Sequence, residues 1–218
     1  MLTFGDWLNL ISLILSAATV SFALYLYFKD PIKRWRFIGY RPTIILSIFD
    51  PDKSTLLVIR HEIGDWQLVQ TGIYEDSIVS QISHCVNREL DVKGNLFDLR
   101  YIKELGVIKD RREPSIKRST LGYMSLFNEF RGRGYISAYI VCDQTKLKKL
   151  IRPGFGIIAS NFVHLDEAGN FLRENSRLDK NNIKLAYYLE IISDIQGYIR
   201  RRAETIERVN TSRRSERS

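Results

Sequence analysis

The apolar positions of this chain change their period several times, and each change marks an element. From Trp7 to Phe28 the run WLNLISLILSAATVSFALYLYF carries no charged side chain over 22 residues. At about 1.5 Å per residue, roughly 20 such residues cross the ~30 Å hydrocarbon core of a bilayer. The run therefore predicts one uncleaved transmembrane helix over Leu8–Phe28, ended by Pro31. Residues 43–49 (TIILSIF) and 55–60 (TLLVIR) are apolar and β-branched, and Asp50-Pro51-Asp52-Lys53-Ser54 between them supplies turn chemistry, so they read as a hairpin. Trp66 to Val69 suggests a further short strand.

The period then lengthens. Ser77 or Asp76 can cap a helix whose Ile78, Ile82, Cys85 or Val86, and Leu90 share one face, with Gly94-Asn95 as its end. Strands follow at 99–108, 121–130 and 135–142, with a charged loop from Lys109 to Ser119. A short helix follows Asp143, capped by Asp143 or Thr145. Ile183, Ala186, Tyr187, Ile191, Ile195, Tyr198 and Ile199 recur at helical spacing in a long amphipathic helix from Asn182 to about Val209. Strands, one central helix, more strands and a terminal helix make an α+β domain. The boundaries read as 1–30 for the anchor, 31–42 for a juxtamembrane linker, 43–208 for the cytoplasmic domain and 209–218 for a disordered basic tail.

Charge orients the anchor. Asp6 is the only charged residue before Lys29, and Lys29, Lys33, Arg34 and Arg36 follow the span directly. The positive-inside rule puts the carboxyl-terminal side in the cytoplasm, as a single-pass protein of the inner (plasma) membrane with inner-membrane lipid as a partner. MLTFGD lacks the cationic start of a cleavable signal, and the apolar run is too long for one. Lys and Arg number 33 against 25 Asp and Glu, a net charge of +8, which suits anionic partners. Cys85 and Cys142 match no metal spacing, and His61, His84 and His164 form no ligand cluster, so no His/Cys metal site and no cofactor is expected.

Within the span, Asn9, Ser12, Ser16, Thr19 and Ala23 are spaced 3, 4, 3 and 4 residues apart. Such a seam of small or polar residues lets helices approach closely and bond across their interface where lipid supplies no hydrophobic drive. It makes a homo-oligomer the expected state, against the alternative that Ser, Thr and Ala fall there by chance.

Residues 56–92 (LLVIRHEIGDWQLVQTGIYEDSIVSQISHCVNRELDV) resemble the Nudix family, in which a strand ending in a basic residue precedes a W-x-L strand, a Gly-rich loop and a helix bearing R-E-hydrophobic-x-E-E. Leu56 to Arg60, Trp66-Gln67-Leu68 and Arg88-Glu89-Leu90 fill those places. Val92 and Lys93 stand where the paired glutamates would be, and Val69-Gln70-Thr71-Gly72 replaces the Pro-Gly-Gly loop. In the family those carboxylates hold Mg²⁺, a hard cation that needs oxygen ligands to activate water at a pyrophosphate. With only Glu89 left, the resemblance implies a Nudix-like domain that binds without cutting.

The implied ligand contacts are Arg60, Arg88, Arg131 and Arg133 for phosphates, Trp66 or Tyr74 for a base, and Glu89 as the residue kept from the acidic cluster. Each has a structural alternative. Arg88 can simply pair with Glu89, Arg131 and Arg133 can be a solvated hairpin rim, and Trp66 can be plain core. Anchor, size and degenerate domain together resemble the transmembrane-Nudix effectors of bacterial cyclic-oligonucleotide anti-phage signalling (CBASS). That likeness implies a nucleotide second messenger, such as a cyclic oligonucleotide, as ligand. It also implies assembly of transmembrane helices that impairs the membrane in antiviral defence. The competing readings are a membrane-bound Nudix hydrolase of nucleoside diphosphate derivatives and a non-enzymatic basic scaffold at the inner leaflet.

Overall fold

A computed structural model of the 218-residue chain describes residues 4–62, 65–74, 77–92, 97–109, 132–152, 156–175 and 183–215. In order the elements are α1 (Phe4–Lys29), α2 (Pro31–Ile38), β1 (Tyr40–Asp50), β2 (Thr55–His61), β3 (Trp66–Gln67), β4 (Val69–Gly72), α3 (Ile78–Leu90), β5 (Asp98–Lys109), β6 (Gly132–Val141), α4 (Gln144–Leu150), β7 (Ile157–His164), α5 (Leu165–Asn175) and α6 (Ile183–Ser215). The chain divides into two compact units, Met1–Pro42 with Lys109–Gly134, and Thr43–Ile108 with Tyr135–Ser218. The expected strand at 121–130, nearly all of the charged loop after Lys109, the Gly94-Asn95 helix end and the Asp76 cap lie outside the described residues.

In the first unit α1 is long and apolar enough to cross a membrane over Asn9–Lys29, and none of that window is buried. It stops where expected, but Pro31 starts a helix as well as ending one. Asp30 adopts an extended conformation and its Oδ1 accepts from the Ile32 amide at 2.8 Å, capping α2 with Pro31 in the first turn. The segment read as a linker is thus largely helical, closed by Gly39 at φ 100° with its amide on the Trp35 carbonyl. Phe28 and Phe37 meet edge to face at 5.1 Å across the α1–α2 corner.

The second unit is built on the sheet, α+β as the order of elements predicts. Among the described residues the strand order is β3-β2-β1-β6-β5, with β4 added to β1 and β7 to β2. β1 pairs antiparallel with β2 and β4, and β2 antiparallel with β3 and β7. Ser47 Oγ meets Ser137 Oγ at 2.7 Å and the Phe49 carbonyl accepts from Cys142, so β1 and β6 advance in the same sense and the sheet is mixed. β7 and α5 carry no strong periodic signal, and sequence reading missed both.

Ile45, Phe49, Leu56, Val58 and Tyr139 on one face of the sheet pack with Leu172 of α5 and Leu185, Tyr188, Ile191, Ile192 and Ile195 of α6. A polar clasp fixes α6 over the far strands: Asp194 Oδ2 accepts from Tyr139 Oη and from Lys103 Nζ, both at 2.6 Å, and Lys103 also reaches Glu190 at 2.9 Å. Burial, then the bond to Asp194, pushes the Tyr139 hydroxyl well above its ordinary value, which keeps it a donor. α6 continues to Ser215, through much of the segment expected to be a disordered tail from 209.

Two glycine substitutions should move stability in opposite directions. A Cβ on Gly134 would overlap the buried ring of Trp35, so Gly134→Ala should cost about 1–3 kcal/mol. Gly197 lies inside α6, where an added Cβ meets nothing closer than Arg201 Nη1 at 3.5 Å, so Gly197→Ala should stabilise by roughly 0.5–1 kcal/mol. Chemical denaturation of the detergent-solubilised chain measures both.

Candidate functional site

β2, β3, β4 and α3 carry most of the described part of residues 56–92, the Nudix-resembling segment. Ser77 is extended and its Oγ accepts from the Ser80 amide at 3.3 Å, which sets the start of the helix. Gln81 is buried in the first turn and its Oε1 accepts from the Tyr74 amide at 3.1 Å, pinning the loop between β4 and α3. One face of α3 buries Ile82, Cys85, Val86 and Leu90, the stripe that periodicity predicts, and Asp91 ends the helix at φ 49°.

Glu89 lies on that same buried face and is 5% exposed. A carboxylate there needs a partner. Arg88 folds back to supply it: Nε donates to Glu89 Oε1 at 3.0 Å, and Nη2 donates to the same oxygen and to Thr71 Oγ1 on β4, the latter at 3.0 Å. The bond to Glu89 raises the pKa of the guanidinium, with Tyr74 among the nearby groups that reinforce the shift. Burial first, then the Glu89 charge, pushes the Cys85 thiol up to about 12. Val92 is 3% exposed. Arg88, Glu89, Thr71 and Tyr74 thus form one cluster on the α3 side of the sheet.

Arg60 and Trp66 do not converge on it. β2 alternates so that Arg60 shares the face of Leu56 and Val58, the face covered by α5 and α6, whereas Thr71 lies opposite Ile44 on the reverse face. Arg60 is exposed and faces Trp66 across the β2–β3 register. Trp66 is half-buried, with Phe171 of α5 against it edge to face at 5.3 Å. Arg133 is half-buried on β6, and Arg131 and Lys93 lie outside the described residues. Among the described residues no group of three or more His, Cys, Asp or Glu side chains is placed to hold a metal ion.

The chain is similar to several solved structures. It matches a C. elegans Ap4A hydrolase at 10% identity over 75% of this chain and 98% of that one, with a TM-score of 0.47. A MutT protein from Methanosarcina mazei matches at 13% identity over 74% and 96%, TM-score 0.44. The E. coli dihydroneopterin triphosphate pyrophosphohydrolase matches at 12% over 70% and 97%, TM-score 0.40. No protein-family model and no curated protein matches the chain. The likeness concerns fold alone.

Sequence reading singled out Arg88 and Glu89 but missed Thr71, which accepts from Arg88, and Gln81, which accepts from the Tyr74 amide. The available signal was two polar side chains, Gln81 and Glu89, falling on the apolar stripe of a helix. The transmembrane seam residues Asn9, Ser12, Ser16, Thr19 and Ala23 are all exposed along α1, and the Thr19 hydroxyl donates to the Leu15 carbonyl at 2.8 Å.

Arg88→Ala should strand the Glu89 carboxylate in a buried position and lower stability by about 1–3 kcal/mol, while Glu89→Gln in the Arg88→Ala background should recover part of that loss. The thiols give a pH test. Burial raises Cys85 and Cys142 from 9.0 to about 12 in the folded chain. Between those values the unfolded chain releases protons that the folded chain retains, so stability falls as pH rises from 9.0 towards 12. Neither thiol should react with iodoacetamide at neutral pH until the chain is unfolded, as read by intact mass.

Proposed function

We propose that this chain is a membrane-anchored binding module, inserted through α1, whose Nudix-like domain recognises a phosphorylated nucleotide signal without hydrolysing it. The observation that carries this reading is the state of Glu89. The one carboxylate retained from the Nudix acidic cluster is buried and claimed by Arg88, and the neighbouring motif position holds the buried aliphatic Val92. A divalent ion needs several oxygen ligands, and an oxygen already neutralised by a guanidinium is a poor one. The Arg88 side chain is 37% exposed, and Tyr74, among the groups near its guanidinium, is 41% exposed, so a cation and an aromatic ring of the kind that phosphates and bases take reach the surface close to Glu89.

The output is assembly of α1 through the seam from Asn9 to Ala23, in the manner of the CBASS effectors that the sequence resembles, with loss of membrane integrity as an antiviral response. Binding can drive assembly only to the extent that the ligand prefers the oligomer over the monomer.

Calorimetric titration of the detergent-solubilised full chain with cyclic di- and trinucleotides should give saturable heat, unchanged by Mg²⁺ and unaccompanied by phosphate release. Mg²⁺-dependent cleavage of a nucleoside diphosphate derivative, lost in Glu89→Gln, would instead establish the hydrolase. In cells, co-expression with a cyclic-oligonucleotide synthase should depolarise the membrane. The pair Asn9→Leu and Ser16→Leu should abolish both depolarisation and cross-linked oligomers, and persistence of the oligomers would remove the seam from the account.

A further inference from the structure

The β1–β2 turn, the start of β5, the β6–α4 junction and α6 border a cleft of about 540 Å³, all within the second unit. It opens beyond the ends of β1 and β6, away from the α3 cluster. Asp50 in the cleft lies six residues along β1 from Ile44, the register partner of Thr71. At about 3.3 Å per residue that puts the cleft about 20 Å from Thr71.

Lys53, Arg100 and Arg202 bring three cations to the cleft, and Asp50, Asp52 and Asp143 bring three carboxylates. The two sets are not equivalent. Asp50 is buried: its Oδ1 accepts from the Asp52 and Lys53 amides at 2.9 and 3.2 Å, and its Oδ2 from the Gln144 amide at 2.9 Å. Asp143 caps α4, its Oδ1 accepting from the Thr145 and Lys146 amides at 2.8 and 3.2 Å. Both carboxylates are committed to the backbone of the turns they close. Asp52 differs. Its side chain is 78% exposed, and Oδ1 lies 3.1 Å from Arg202 Nη1. Arg100 pairs likewise with the exposed Asp98, and Lys53 Nζ donates to the neutral Thr145 hydroxyl. Ion pairs this exposed contribute little, because water screens them and two long side chains must be ordered. A polyanion entering the cleft therefore meets three cations whose present partners compete weakly.

Arginine takes phosphate oxygens in bidentate geometry, and lysine adds a point charge. No aromatic side chain is among the described residues that line the cleft, so it recognises phosphates and not a base. We infer that this cleft is an anion site for a compact polyphosphate, held by Arg100 and Arg202 together with Lys53. It is separate from the α3 cluster and does not depend on what that cluster takes. A ligand bound there ties α6 to β5 and to the β1–β2 turn, three segments far apart in sequence.

The test titrates the detergent-solubilised full chain with inorganic pyrophosphate by calorimetry, in the absence of divalent metal. Saturable heat is expected in the wild type and, undiminished, in Arg88→Ala, which separates this cleft from the α3 cluster. Arg100→Gln and Arg202→Gln, both at exposed positions, should each weaken binding about tenfold. Asp52→Asn removes the competing carboxylate and should tighten binding roughly twofold or more. Arg202→Gln and Asp52→Asn break the same ion pair, so a merely structural effect moves binding the same way in both, and a site moves it in opposite directions. Bound pyrophosphate should also shield Lys53 from acetylation, read by peptide mass, while the exposed Lys149 outside the cleft keeps its reactivity. Shifts of the same sign in those two variants would overturn the inference, as would the absence of saturable heat. Heat lost in Arg88→Ala and kept in the two glutamine variants would overturn it by moving the phosphates to the α3 cluster.

Discussion

Ile44, Leu46 and Ile48 on one face of β1, and Ile45, Ser47 and Phe49 on the other, are all withdrawn from water. A strand apolar on both faces cannot sit at a solvated surface, and each fully buried aliphatic side chain contributes about 1.5–3 kcal/mol only if both sides are covered. That requirement places β2, β4 and β6 around β1, calls α5 and α6 to one face and α3 to the other, and sets where the candidate site can form. Ser47 and Ser137 are a fully buried polar pair inside this layer, and they satisfy one another.

The same requirement explains the α3 cluster. Packing α3 against β4 carries Glu89 into the interior, and the carboxylate then has to be neutralised from within the motif itself. Arg88 does this and also reaches Thr71, so a dipeptide that the Nudix resemblance associates with a metal site here ties helix to strand. The outcome follows from what surrounds the pair. Val92, three residues on, is buried as well.

The two ends of the chain pose a related problem. α1 exposes Leu13, Leu15, Val20 and Phe22 along an uncharged surface, and α6 exposes Ile206 and Val209 among arginines. A surface of the first kind is stable in hydrocarbon and one of the second kind in water, because lipid tails accept aliphatic groups but not ionised ones.

Sequence alone determined the elements whose pattern is local. The apolar helix α1, the β1–β2 hairpin around Asp50-Pro51, the Ser77-capped α3 and the long α6 follow from period, capping and turn chemistry over adjacent residues. It also put Val92 and Lys93 where the Nudix resemblance would have paired glutamates, since residue identity needs no coordinates. Only the tertiary structure decided which candidates meet. Arg60 and Trp66 lie on the opposite face of the sheet from Arg88 and Glu89, a fact set by strand register between segments far apart in sequence. Thr71 joined the site, and β7 and α5 joined the fold, through partners more than ten residues away, which periodicity cannot see. Local pattern fixes how each segment bends, and burial shared among distant segments fixes which side chains they bring together.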